Sequence, residues 1–279
     1  MKLNAKAYAK LNLSLSVNPI LTKESLHSII SIFQQISLHD TIDIIATKSK
    51  NPTFNITYTG FKIPTNTKNI LGKIITTLSN QLNHNYTIHI NKKIPLGSGM
   101  GGASSNAAIL LKAINTIEKK SWSYSQLINI SKQFGSDISF FLKGGLQEVS
   151  GIGDILKPKK PLTKPHFLII YPNIECSTKE IYHHFDFMIK QKKEAILTES
   201  NNLLPVVLDY NKTMKVIYER LSKESPFPIE LTGSGSTFFI KTKTENETVK
   251  LQKHLKTIFP KFYIQVTKAN YDNNRLTIT

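Results

Sequence analysis

One segment, Pro95-Leu96-Gly97-Ser98-Gly99-Met100-Gly101-Gly102-Ala103-Ser104-Ser105, limits the possible folds of this chain more than any other. It follows an apolar run over residues 87–94 that predicts a strand. It precedes a run over 105–119 with Ala108, Leu111 and Ile114 on one helical stripe. Glycines admit positive φ and let the backbone approach an anion closely. The helix that follows presents unpaired N–H groups to the same anion. Ser104 and Ser105 add hydroxyls where a phosphate, or a phosphate-bound Mg2+, would sit. Gly97, Gly99 and Gly102 satisfy G-x-G-x-x-G, but a dinucleotide fold also wants an acidic residue at a second strand about 20 positions on. Glu118 stands near that distance and ends a helix instead. A Walker loop wants Gly-Lys-Ser/Thr, whereas Gly102 leads into Ala-Ser-Ser without a lysine. A glycine connector with no ligand is the remaining alternative, and the run holds more small residues than a turn requires.

The rest of the chain reads as a mixture of strands and helices without repeats. Strands are predicted over 2–17, 29–36, 41–46 and 54–58, and helices over 69–82 and 123–134. Ser123 and Gln126 form a capping box for the second helix, and Gly135 stops it. In the first strand Leu11, Leu13, Leu15 and Val17 alternate with polar residues, so Lys10 shares a face with Asn12, Ser14 and Ser16. Pro158, Pro161 and Pro165 among lysines mark a boundary near residue 157. Beyond it come a strand over 167–171, helices over 178–190 and 211–222, short strands over 229–231 and 236–241, a helix over 245–258 and a strand over 262–267. Segregated rather than alternating elements favour α+β over a doubly wound parallel sheet.

Composition excludes several classes. Of the 279 residues, 40% are hydrophobic and 20% charged, as in ordinary globular chains. No run is long and apolar enough to predict a membrane-spanning helix. The single cysteine, Cys176, excludes an intrachain disulfide and a multi-cysteine metal site, and it points to a reducing, cytoplasmic setting. Lys+Arg number 36 against 19 Asp+Glu, a net charge of +17, so the surface should attract anions. Only Arg220 and Arg275 are arginines, which argues against a nucleic-acid reader dependent on bidentate contacts.

The motifs together resemble a known family. Residues 95–106 resemble the phosphate-binding loop of the GHMP kinase superfamily. Ala9-Lys10-Leu11-Asn12-Leu13, Gly135-Ser136-Asp137 followed by Ile-Ser-Phe-Phe, Gly151-Ile-Gly-Asp154 and Leu231-Thr-Gly-Ser-Gly-Ser236 narrow the likeness. In order along the chain, they resemble motifs of the 4-diphosphocytidyl-2-C-methyl-D-erythritol kinases. The resemblance implies a two-domain fold: residues 1–157 form an N-terminal nucleotide-binding domain, and 158–279 a ferredoxin-like C-terminal domain. It implies ATP as co-substrate, Mg2+, small-molecule partners, and no nucleic acid or membrane partner. Asp137 is implied as the base and Lys10 as the group that stabilises phosphoryl charge. The loop residues 95–105 would hold ATP, with Ser105 a candidate for the metal and no other ligand assigned. Asn12, His27 and Tyr182 would contact substrate. The family's D-G-Y-H segment is Glu24-Ser25-Leu26-His27 here, so an aliphatic side chain replaces the stacking tyrosine. Open alternatives are a helix-cap role for Asp137, an exposed surface position for His27 and core packing for Tyr182. For the whole chain they are another GHMP small-molecule kinase of mevalonate, phosphomevalonate or homoserine type, and a basic nucleic-acid-binding protein.

Overall fold

The computed structural model describes residues 1–23, 25–191, 200–272 and 276–278. Along the chain, β1 (Lys2–Leu21), β2 (His27–Lys48) and β3 (Phe54–Gly60) precede α1 (Ile70–Leu78) and β4 (His84–Lys92). Then follow α2 (Gly102–Ile117), α3 (Tyr124–Lys132), α4 (Ile138–Lys143), β5 (Leu146–Ser150), β6 (Ile155–Pro158) and β7 (His166–Tyr171). The remainder is α5 (Thr178–Lys190), α6 (Leu204–Tyr210), α7 (Lys212–Glu224), β8 (Glu230–Leu231), β9 (Phe238–Thr242), α8 (Glu245–Ile258), β10 (Tyr263–Lys268) and β11 (Leu276–Ile278).

Two sheets result. The larger runs β11-β1-β2-β4-β3, with β5 branching from β2 and carrying β6. Among the described residues its one parallel pairing is β3 with β4. The smaller is antiparallel, β10-β7-β9-β8. Strands and helices are segregated, so the fold is α+β. Period-two alternation in β7 assigns its faces: Leu168 and Ile170 pack with Phe185, Val207 and Leu255 under the helices, while Phe167 and Ile169 pack with Phe239 against the larger sheet.

The sequence expectation of two strands over 29–36 and 41–46 is corrected to one continuous β2. Its first part pairs with β5 and its last with β4. The polar stretch between them is not a turn. Ser37 Oγ meets Thr267 Oγ1 at 2.9 Å and the Leu38 N–H donates to the same hydroxyl at 3.0 Å, so β10 docks there. β1 contributes to three clusters. Leu3, Ala5 and Ala7 join the core under α1–α4, and Leu15 and Val17 join the core under α5–α8. Ala9 and Leu11 join Ile94, Met100 and Phe167 in the layer between the sheets. Full burial of a large apolar side chain contributes ~1.5–3 kcal/mol. Met100 and Phe167, both 0% exposed, share one cluster and so contribute to holding the glycine loop against the smaller sheet.

Candidate active site

The glycine loop lies between the sheets, and its geometry follows from its residues. Gly97, Gly99 and Gly101 have φ of +65°, +75° and +70°. A Cβ on Gly99 would stand 2.6 Å from the Thr232 carbonyl oxygen and 2.8 Å from that of Gly235. The loop is thereby pressed against the turn between β8 and β9. Ser98 Oγ donates to the Pro95 carbonyl at 2.7 Å, closing the turn from within. Helix α2 starts at Gly102 rather than near 105, so Gly102, Ala103, Ser104 and Ser105 form its first turn. Ala103 is exposed and Ser104 half-buried. The Ser105 hydroxyl is buried, with no hydrogen-bond partner among the described residues. Leu96 and Gly97 lie at the surface. Gly102 does not have positive φ. Positive φ is therefore not what calls for glycine at 102.

Beside the loop stand Lys10, Asn12 and Asp137. The Lys10 N–H donates to the Met100 carbonyl at 3.0 Å, fixing β1 to the loop. Lys10 Nζ, almost sealed from solvent, donates to Asn12 Oδ1 at 2.6 Å and stands 3.5 Å from Asp137 Oδ2. It also lies 4.6 Å over the centre of the Phe33 ring, where a cation–π contact helps hold a desolvated ammonium. Asn12 is locked in turn: its Nδ2 donates to Ser31 Oγ at 3.0 Å, and its Oδ1 accepts from Thr232 Oγ1 at 3.2 Å. Asp137 sits at the cap position of α4 but makes no side-chain cap bond. Its carboxylate faces Lys10 and is 32% exposed. A carboxylate next to a buried ammonium, beside a helix N-terminus and a positive-φ loop, can take a hydroxyl proton while an anion is held a few ångströms away.

Comparisons with known proteins bear on the family and the fold. Residues 69–145 match the model of the GHMP kinases N terminal domain. A 4-diphosphocytidyl-2-C-methyl-D-erythritol kinase of Fervidobacterium nodosum is 34% identical over 256 residues, covering 84% of this chain and 88% of the relative. The chain belongs to the 4-diphosphocytidyl-2-C-methyl-D-erythritol kinase family. A member from Persephonella marina is 35% identical over 178 residues, and that match spans 59% of this chain and 65% of the relative's length. A crystal structure of 4-(cytidine 5'-diphospho)-2C-methyl-D-erythritol kinase superposes with a TM-score of 0.75 at 23% identity, covering 96% of this chain and 99% of the other. The fold is thus that of GHMP kinases.

Within this kinase family member, two of the residues expected near a base, His27 and Tyr182, pack against each other. His27 begins β2, and although the residue as a whole is half-buried its side chain is only 6% exposed. Its Nδ1 lies 2.7 Å from the Asn18 carbonyl and its Nε2 3.1 Å from Asp186 Oδ1. The ring packs 5.6 Å from Tyr182 and edge-on to Phe185 at 5.4 Å. Both ring nitrogens are therefore engaged within the protein. Leu26 is 48% exposed on the turn before it, and Glu24 lies outside the described residues. Burial, and secondarily the Asp137 charge, push the Tyr182 phenol up to about 12. Sequence reasoning missed Ser31, Thr232 and Asp186. Thr232 carried a signal, since it stands inside the Leu231–Ser236 motif. Ser31 and Asp186 are ordinary polar residues of a strand and a helix, distinguished only by folding.

Proposed function

We propose that this chain transfers the γ-phosphoryl group of ATP to the 2-hydroxyl of 4-diphosphocytidyl-2-C-methyl-D-erythritol, in the methylerythritol phosphate route to isoprenoid precursors. The observation that carries the reading is the 3.5 Å approach of Lys10 Nζ to Asp137 Oδ2 beside the glycine loop, in a chain of this family. Phosphoryl transfer is catalysed chiefly by positioning and electrostatics. Residues 95–105 hold the phosphates through loop and α2 N–H groups. Asp137 accepts the proton of the attacking hydroxyl. Lys10, its ammonium oriented by Asn12 and Thr232, favours the ionised form of that hydroxyl and stabilises charge on the transferring group.

The cation fits the residues present. No group of three or more His, Cys, Asp or Glu side chains among the described residues is arranged to hold a metal. Mg2+ in such sites is bound by substrate phosphates and waters with few protein oxygens, and Ser105 offers an unpartnered hydroxyl. When bound, Mg2+ neutralises the β- and γ-phosphate oxygens. Asn12, His27 and Tyr182 are the residues of the alcohol substrate's side, His27 acting through its ring face and backbone because both its ring nitrogens are engaged. Residues 1–157 form the part that binds ATP, and 158–279 the part that closes the site through Thr232 and Tyr182. The protein works in the cytoplasm. No helix among the described residues is long and apolar enough to cross a membrane.

The test is ADP release with ATP, Mg2+ and a panel of alcohols that includes mevalonate, phosphomevalonate and homoserine. Turnover confined to the cytidylyl substrate is the expected result. Turnover with another member of the panel alone would move the chain to a different GHMP kinase activity.

A further inference from the structure

Asp40 and Lys92 form an ion pair that the transfer chemistry does not use. Asp40 comes from β2 and Lys92 ends β4. They are 0% and 2% exposed, with Nζ 2.5 Å from Asp40 Oδ2. Asp40 Oδ1 accepts the N–H groups of Lys93 at 2.8 Å and Ile94 at 2.9 Å, the two residues ahead of the loop. With its amide nitrogen turned toward acceptors, Asn106 of α2 donates to Asp40 Oδ2 at 3.0 Å and to the Gly102 carbonyl at 3.1 Å. One carboxylate therefore ties together the strand end before the glycine loop and the first turn of the helix after it. The Lys92 ammonium lies directly against that turn. A Cβ on Gly102 would meet Nζ at 2.7 Å and Ile94 Cγ2 at 2.9 Å. Room for Lys92 and Ile94, rather than backbone conformation, is what requires glycine at 102.

A buried pair of this kind contributes little net stability, because desolvation offsets much of the attraction. Its contacts point to another use. We propose that Asp40 and Lys92 are positioning residues for ATP: their pair sets where the α2 N-terminus stands relative to the loop, and so where its N–H groups meet the phosphates. This rests on the reading of residues 95–105 as the phosphate site. Neither side chain reaches solvent, so both act through the loop and the helix turn. The Lys93 and Ile94 amides and Asn106 all converge on the carboxylate.

Asp40→Asn keeps the shape and the acceptor for the two amides while removing the charge. Lys92→Met keeps the stem and removes the ammonium. Either variant is expected to raise the KM and Kd for ATP roughly ten- to hundredfold, the scale of a sub-ångström to ångström misplacement. The KM for the alcohol substrate and kcat at saturating ATP should stay within about twofold. A lowered thermal midpoint with ATP KM and Kd within about twofold of wild type would overturn the proposal, since the pair would then serve stability alone. If neither variant folds, Gly102→Ala carries the test, because it leaves both charges and presses on Lys92 and Ile94. Weakened ATP binding by calorimetry in the folded variant is expected, and unchanged affinity would overturn the proposal. Wild-type protein that binds no ATP would overturn the phosphate-loop reading, and the proposal with it.

Discussion

At Asp137 local structure and chemistry diverge. Aspartate at a helix start usually accepts a backbone N–H. Here the residue has φ −67° and ψ −17°, makes no cap bond, and turns its carboxylate to Lys10. Asp137→Asn should lower kcat by roughly 10²- to 10⁴-fold, the usual worth of a general base, and leave ATP affinity unchanged. Stopped-assay kinetics beside nucleotide titration check this, and a near wild-type kcat would return Asp137 to a structural role. Leu26 tests the base side. Stacking on an aromatic is worth ~1–3 kcal/mol per base, so Leu26→Tyr should lower KM for the cytidylyl substrate several-fold with ATP KM unaltered. Tyr182→Ala should raise the substrate KM. Silence from both variants would place the base elsewhere. Lys10 and Asn12 are legible in the amino-acid sequence, because period two puts them on one face of a strand. The surroundings of His27 are not, because Asp186 and Phe185 are brought to it only by the packing of α5 on the β1–β2 hairpin.

Helix α2 is fixed at both ends, and this makes it a useful platform. At its start the loop meets the β8–β9 turn so closely at Gly99 that a methyl group has no space. Gly99→Ala should abolish measurable ATP binding, with positive φ adding to the strain. Calorimetric affinity equal to wild type in a folded variant would detach the loop from the phosphates. At the far end Glu118, its side chain 1% exposed, accepts from the Asn83 N–H at 3.0 Å and the Tyr86 hydroxyl at 2.8 Å, and meets His84 Nδ1 at 3.1 Å. Burial pushes this carboxyl up, but those hydrogen bonds outweigh burial and hold it below the usual glutamate range. A lowered folded value stabilises above the ordinary pKa near 4.5 and is lost as pH falls through the folded value. Glu118→Gln should therefore cost about 1–3 kcal/mol in urea unfolding at pH 7, and the difference should shrink toward pH 3. A pH-independent difference would assign the loss to packing. Helices with capping boxes, α3 at Ser123 and Gln126 and α8 at Thr244 and Glu247, are legible in the sequence. The short α6, which carries Pro205 in its first turn, is not, and neither are β5, β6 and β11, since β5 and β11 pair with strands far away in the chain and β6 is held only through β5.

Across the whole molecule, β1 links the cores and carries the site. Residues on its two faces belong to both sheets' packing, and Lys10 and Asn12 stand where the larger sheet meets the Thr232 turn of the smaller one. This shared strand brings Lys10 and Asn12 to the glycine loop, to Asp137 and to Thr232, although these lie far apart in the sequence. The net charge of +17 suits phosphorylated substrates without specifying any of them. In the proposed function the Lys10–Asp137 pair directs phosphoryl transfer to one hydroxyl of the cytidylyl polyol. The most direct measurement is ³¹P NMR of the product formed from ATP, Mg2+ and that substrate, with wild type and Asp137→Asn in parallel. The expected result is a phosphomonoester on the 2-hydroxyl, matched one-to-one by ADP, with wild type and none on that timescale with the variant. Phosphate on another hydroxyl, or equal transfer by both proteins, would contradict it.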